Sequence, residues 1–199
     1  MPLREALLEV PPAQRDAWVD RLLGLGEWPD DGPELPRGCV PYMPCAVDRL
    51  LQMIDRVPVR ASDVFVDVGA GVGRAAALVH LLTGAGVIGL EVQPHLVREA
   101  RALAARLSAE RLVFVEGDAL ALAGYIAIGT VFFFYCPFSG ERLARVLREL
   151  EGVARTRAIR VCCIDTPLPP CDWLVRDGTA DDDIAIYHSA GSGMPPMPT

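Results

Sequence analysis

The chain has 199 residues, 51% of them hydrophobic, and a net charge of −7. That is enough for one domain with a full core, and it excludes a disordered chain. No basic run is present, which weighs against nucleic acid as a partner, because phosphate contacts need clustered cations.

Residues 3–10 and 13–23 read as two short helices broken at Pro11-Pro12. Residues 24–44 are rich in Pro, Gly and Asp and read as a loop or linker. Val47, Leu50, Leu51 and Ile54 have helical spacing within 46–57. Val64, Phe65, Val66 and Val68 form a run suited to a strand covered on both faces. Gly69, Gly71 and Gly73 follow, and residues 74–82, rich in Ala and Leu, predict a helix that Gly84 and Gly86 stop. A second strand covers 87–92. Pro94 starts a helix to about residue 108, and a third strand covers 111–116.

Residues 119–140 carry no charge and are long enough to span a bilayer. Gly124, Gly129 and Pro137 interrupt them, so a loop or short helix before a buried strand at 130–136 fits better. An amphipathic helix is expected over 140–152, with Leu143, Val146, Leu147 and Leu150 on one face. A fifth strand covers 159–164, and two late strands, 173–176 and 184–188, have no helix between them.

Strands alternating with helices imply an α/β fold: a doubly wound, mostly parallel seven-stranded sheet. The late pair implies an antiparallel C-terminal hairpin. The expected organisation is an N-terminal helical cover and linker (1–41), a cofactor-binding domain (42–189) and a disordered tail (190–199). Trp18 and Trp28 are assigned to the cover or to a partner contact.

The stretch from Asp63 to Glu91 carries the most chemistry. It reads as a strand, a glycine turn, a helix and a second strand ending in an acid. Amide N–H groups at the helix N-terminus are expected to be free for a ligand. Glu91 lies about 20 residues past the turn, where an acid binds ribose hydroxyls. A dinucleotide site favours G-x-G-x-x-G/A. Here Gly69-Ala70-Gly71-Val72-Gly73-Arg74 brings the third glycine one residue early. Asp67, two residues before the first glycine, would repel a pyrophosphate and suit a cationic ammonium.

The pattern D-x-G-x-G-x-G resembles motif I of class I S-adenosylmethionine (SAM) methyltransferases, and the element order is similar to that fold over residues 42–189. The resemblance assigns Asp67, Gly69, Ala70, Gly71 and Gly73 to the methionine end of SAM and Glu91 to the ribose. It places Gly117 and Asp118 at the adenine amino group, with Val92 and Ala119 flanking the adenine plane. Tyr135, Cys136, Pro137 and Phe138 would stand where methyl meets acceptor. Tyr135 is the candidate catalytic and cofactor-contacting residue, and Phe138 the candidate substrate contact.

Residues 42–92 are most similar to the non-SET histone lysine methyltransferases. Tyr42 before a helix containing Leu51-Gln52-Met53-Ile54-Asp55 carries that likeness, which would have Tyr42 cap the methionine end. Where that family has Asn-Asn-Phe, this chain has Tyr135-Cys136-Pro137-Phe138. The Asp/Asn-Pro-Pro-aromatic motif of amino-group methyltransferases is matched only by Pro137 and Phe138.

Plainer roles exist for single residues. The plainer reading of Glu91 is a solvated strand-end acid, which its place beside the glycine turn disfavours, that of Asp118 a helix cap, and that of Tyr135 a buried strand aromatic. His80 reads as structural. His95 and His188 have no matched partner. Asp165 reads as a base or metal ligand only with neighbours that the sequence does not supply. The six cysteines lack zinc spacing, so no metal is expected, and they read as buried free thiols of a reducing cytoplasm. The N-terminus has no signal-peptide core.

The expected function is methyl transfer from SAM, with S-adenosyl-L-homocysteine as product. The acceptor would be an N, O or S atom of a small molecule or protein side chain, with no membrane involved. A catalytically inactive SAM-binding regulatory or scaffold protein is the first alternative. A nicotinamide-dependent oxidoreductase is the second.

Overall fold

The structure is a computed structural model that describes residues 2–27, 29–33, 35–178 and 183–190. Two short helices come first, α1 (Leu3–Glu9) and α2 (Pro12–Leu23). Pro12 starts α2 at a position where a missing N–H costs nothing, and Gly24 ends it at φ +64°. Helix α3 (Val47–Arg56) buries Val47, Leu50, Leu51, Met53 and Ile54.

The alternating part follows as β1 (Val64–Val68), α4 (Arg74–Thr83), β2 (Gly86–Glu91), α5 (Pro94–Arg106) and β3 (Leu112–Glu116). A single turn of helix, α6 (Ala119–Leu122), and a 3₁₀ turn (Ala123–Tyr125) lead into β4 (Val131–Tyr135). Thus the uncharged stretch of 119–140 divides at its glycines. Among the described residues no helix is long and apolar enough to cross a membrane. Helix α7 (Gly140–Ala154), β5 (Arg160–Ile164), β6 (Leu174–Asp177) and β7 (Ile184–Ser189) complete the chain.

The seven strands form one sheet in the order β3-β2-β1-β4-β5-β7-β6. The first five run parallel, and β7 is antiparallel to both β5 and β6. Strand β4 shows why the sheet sits inside two layers. Phe133 and Tyr135 pack with the core on the α3–α4 side, Phe133 stacking on Phe65 at 5.6 Å. Phe132 and Phe134 face Leu143, Val146 and Leu147 of α7. Strand order reverses between β1 and β4, which leaves a crevice at their carboxyl ends.

Helices α1 and α2 pack on α3 and α4, and Trp18 joins that core. Ion pairs Arg4–Asp55 and Arg15–Asp48 tie α1 and α2 to α3, and the most buried ionic contact holds α2 to α4. Arg74 opens α4 with its side chain 2% exposed. A cation there opposes the helix dipole. Asp16 (2.9 Å) and Asp20 (2.5 Å) of α2 compensate it, and the Cys45 carbonyl accepts from it at 2.7 Å. Trp28 and residues 191–199, expected as part of the cover and as a disordered tail, lie outside the described residues.

Removing one side of a buried ion pair strands the other side's desolvated groups. Arg74→Met is expected to lower stability by about 3 kcal/mol in urea unfolding. The same change should expose the α2 segment to protease before the sheet unfolds.

Candidate active site

The crevice between β1 and β4 opens into a narrow cleft of about 70 Å³, well below the few hundred Å³ of an open ligand pocket, with Tyr42 and the segment before α3 filling part of its wall. Its wall follows the ends of successive strands: Gly69 after β1, Glu91 and Val92 at β2, Gly117, Asp118 and Ala119 after β3, and Tyr135 to Phe138 after β4. Tyr42 joins them from the segment before α3. Asp67, Ala70, Gly71 and Gly73 do not line it.

The glycine turn explains that difference. Gly71 has φ +54°, and a Cβ there would lie 2.1 Å from the Tyr42 ring, so only glycine admits Tyr42 at this place. Gly69, at φ +87°, likewise leaves room for Pro137, which a Cβ would meet at 2.7 Å. The amides of all three turn glycines and of Ala70 are already taken, against the expectation of free donors there. Gly69 and Ala70 both donate to the Leu90 carbonyl at 2.9 Å, and Gly73 donates to Ala70 at 2.8 Å. Gly71 donates to Glu91 Oε2 at 2.9 Å. The turn spends its donors on β2 and on itself.

Two acids are buried here, with different compensation. Glu91 is 7% exposed. Its Oε1 accepts from the Gln93 amide at 2.8 Å and its Oε2 from Gly71. Burial still raises its pKa, against the pull of the Gln93, Gly71 and Val92 amides. Each oxygen retains a lone pair, which suits two hydroxyl donors.

Asp67 is 3% exposed, and its Oδ2 has no hydrogen-bond partner among the described residues. Burial, and then the Glu91 charge, push its carboxyl up to about 7, with the Ala76 amide opposing. Tyr42 lies close enough that burial, and behind it Asp67, raise its phenol despite the charge of Arg74. An orphaned buried acid behind an aromatic lid fits a cationic group of a ligand.

Asp118 caps α6, with Oδ1 accepting from the Leu120 amide at 2.9 Å, and it also lines the cleft. The same Oδ1 accepts from Arg142 at 2.6 Å. Phe138 lines the cleft too, but its ring is 5% exposed and packs edge-on against Phe134 at 6.4 Å. Tyr135 is half-buried, and burial raises its pKa. Asp165 is ion-paired to Arg49 at 2.9 Å rather than placed as a metal ligand.

The histidines also find local partners: His80 the Ala85 carbonyl, His95 the Asp30 carbonyl and His188 the Asp177 carboxylate. All six cysteines are free. Cys45, Cys162 and Cys163 are buried, whereas Cys39, Cys136 and Cys171 are half-buried, and the first two of these line the cleft.

Several cleft residues were not singled out in the sequence. Leu35, Cys39, Val40, Pro41 and Met43 come from the Pro/Gly-rich stretch, which is a strap over the cleft rather than a linker away from it. Gln93, 2% exposed, holds one end: its Oε1 accepts from Gly32 and its Nε2 donates to Asp31 Oδ1, both at 2.7 Å. The same Asp31 oxygen accepts from the Tyr42 amide at 2.9 Å. At the other end Val40 donates to the Pro137 carbonyl at 3.0 Å, and Cys39 pairs with Phe138. Arg142 completes the wall.

A sheet of this order, with the cleft at its switch point, acids near the ends of β1 and β2 and another just after β3, defines a class I SAM-dependent methyltransferase. A family model described as protein-L-isoaspartate(D-aspartate) O-methyltransferase (PCMT) matches residues 4–128. The chain belongs to this family of SAM-dependent methyltransferases.

Among solved structures, an RNA methyltransferase from Salinibacter ruber in complex with S-adenosyl-L-homocysteine is similar at TM-score 0.58 and 25% identity. The match covers 77% of this chain and 97% of that one. TrmN from Thermus thermophilus (TM-score 0.53, 16% identity, 70% and 47% covered) and YcgJ from Bacillus subtilis (0.51, 23%, 58% and 49%) share the fold. The chain spans about half the length of these last two. No curated protein matches it significantly.

Two tests address the buried groups. Asp67 has a raised folded pKa, so the native state binds more protons than the unfolded chain between about 4 and 7. Its contribution to stability is therefore present at low pH and lost as pH rises to about 7. The ligand-free protein should lose melting temperature between pH 5 and pH 8, and Asp67→Asn should narrow that loss. Gln93→Ala should free the strap, and limited proteolysis within residues 29–43 should speed up on the order of tenfold, with the sheet intact.

Proposed function

We propose that the protein transfers a methyl group by direct SN2 displacement from SAM to a nucleophilic N, O or S atom of a small molecule or protein side chain. The acceptor would enter beside Tyr135, at the carboxyl end of β4. The observation that carries this reading is that Glu91 and Asp118 line one cleft while Asp67 lies buried near Tyr42 at its wall, each with acceptor capacity to spare.

Glu91 would take the two ribose hydroxyls, and Asp118 the adenine amino group between Val92 and Ala119. Asp67 would take the ammonium once Tyr42 turns aside from the glycine turn formed by Gly69, Ala70, Gly71 and Gly73. Gly117, between β3 and the cap, would let the base approach the backbone. When bound, SAM supplies a methyl carbon that an acceptor lone pair attacks, the C–S bond electrons leaving on sulfur to give S-adenosyl-L-homocysteine. The chain's task is then alignment and exclusion of water, which the strap and Tyr42 serve.

Tyr135 would position the acceptor as a hydrogen-bonding phenol, which is protonated at neutral pH and which burial moves further from ionising. Asp165 is held by Arg49, so neither residue is a free base. The acceptor must bring its own lone pair, as a neutral amine, a carboxylate or a thiolate does.

The family match ends at residue 128, before β4 begins, so it speaks for the cofactor half of the cleft more than for the acceptor half. An isoaspartyl carboxylate, the group in the family's description, heads an acceptor screen. The likeness of residues 42–92 to non-SET histone lysine methyltransferases adds protein lysine to it. The Salinibacter enzyme favours a second reading, RNA as acceptor. A net charge of −7 weighs against that one.

Calorimetry with SAM and S-adenosyl-L-homocysteine, with NADH as control, tests the cofactor reading. Micromolar binding of both is expected, no binding of NADH, and a loss of about 100-fold in Glu91→Ala, where two hydrogen bonds go. Well-folded protein that binds neither SAM species would sink the proposal.

A further inference from the structure

Arg142 is the one cationic side chain among the described residues that lines the cleft. It comes from the first turn of α7, 24 residues away from its partner in sequence. Its side chain is 15% exposed, and its guanidinium lies 6.0 Å from the centre of the Phe138 ring. Its Nη1 donates to Asp118 Oδ1 at 2.6 Å, the oxygen that also accepts from the Leu120 amide. Two donors therefore hold one oxygen. Oδ2 carries no hydrogen bond among the described residues, and Asp118 lines the cleft.

We propose that Arg142 is a positioning residue for base recognition. By occupying Oδ1 together with the Leu120 amide, it fixes the Asp118 carboxylate so that Oδ2 is offered to an amino group of the bound base. The inference rests on the cofactor reading above and goes beyond it, because it assigns base selectivity to a residue of α7.

The physical argument is one of competition. A carboxylate that caps a helix of only four residues is weakly held, since the cap is a single hydrogen bond at the start of a marginal element. Asp118 is also about one-third exposed, so water competes for it. A guanidinium offers donors in a fixed planar fork and charge assistance, which a water does not. Burial works against the ionised form of Asp118. The Arg142 hydrogen bond, the Leu120 amide and the Arg142 charge outweigh it, and the carboxyl titrates below its ordinary value. The acid thus stays an acceptor across the neutral range. Phe138 supports the guanidinium from the other side, which gives that buried aromatic a role in the cleft without substrate contact.

The test compares S-adenosyl-L-homocysteine with its 6-deamino analogue, which carries purine in place of adenine. Both are titrated into the full chain and into Arg142→Met and Arg142→Lys. The wild type is expected to prefer the amino form about tenfold, as for a hydrogen bond to a charged acceptor. The Met variant should lose that preference to below about threefold, while the Lys variant, which keeps a charged donor, retains most of it.

Should the Met variant fail to fold, the same ratio is read on Arg142→Gln, and a loss of at least about threefold supports the proposal. A variant that melts earlier yet keeps the wild-type ratio would show Arg142 to be merely structural and overturn it. A wild type that binds S-adenosyl-L-homocysteine without preferring the amino form also overturns it, with the cofactor reading standing. A wild type that binds neither compound removes the cofactor reading itself, and this inference with it.

Discussion

Two carboxylates buried near the ends of neighbouring strands, Asp67 in β1 and Glu91 in β2, set the terms for this molecule. Glu91 is made tolerable by main-chain donors: the amides of Gly71 and Gln93 each reach one of its oxygens. Those donors come from the glycine turn and from the chain just past β2, so the acid and the turn shape each other. Asp67 receives far less, and one of its oxygens is left without a partner. A buried acid in that state costs stability unless something cationic arrives. A fold that retains it holds part of its stability in reserve for a ligand, the usual trade between stability and function.

From that pair the rest of the cleft follows. Gln93 both donates to Glu91 through its main chain and holds Asp31 and Gly32 through its side chain. The strap is thereby tied to the acid expected to meet the ribose. Its far end is tied to Pro137 and Phe138, beside the acceptor mouth. One continuous segment therefore spans both halves of the site. Arg74 fixes α2, the helix that precedes this segment, and its bond to the Cys45 carbonyl holds the chain just after it.

Much of the architecture was legible in the sequence because it rests on local rules. The strands read as β-branched and aromatic runs, the helices as 3.6-residue spacing, and the hairpin from the missing helix between two late strands. Boundaries fell within a residue or two. Glu91 was legible from its distance to the glycine turn, and Asp118 from its place after the third strand in the methyltransferase likeness. The strap was not, because a Pro/Gly-rich stretch has no periodicity and its partners lie about 60 to 100 residues away. Gln93 and Arg142 were missed for the same reason: a polar residue after a strand or on a helix declares nothing until its partner is known. The amides of the turn misled in the opposite direction. Local geometry promised free donors, and the neighbouring strand had already taken them.

The acceptor end obeys a separate constraint. Cys136 and Asp165, each one residue past its strand, take positive φ values of 45° and 50° without being glycine. Such conformations persist only when the surroundings hold them. Thr166 does so for both strand ends: its hydroxyl accepts from the Cys136 amide at 2.8 Å and donates to the Ile164 carbonyl at 3.0 Å. The Cys136 thiol adds a bond to the Asp165 carbonyl at 2.8 Å. The floor beside Tyr135 is thus cross-braced by β5, while the cofactor half is braced by β2 and the strap. The strap is held to Gln93 on the cofactor side and to Pro137 and Phe138 on the acceptor side, so it couples the two braces.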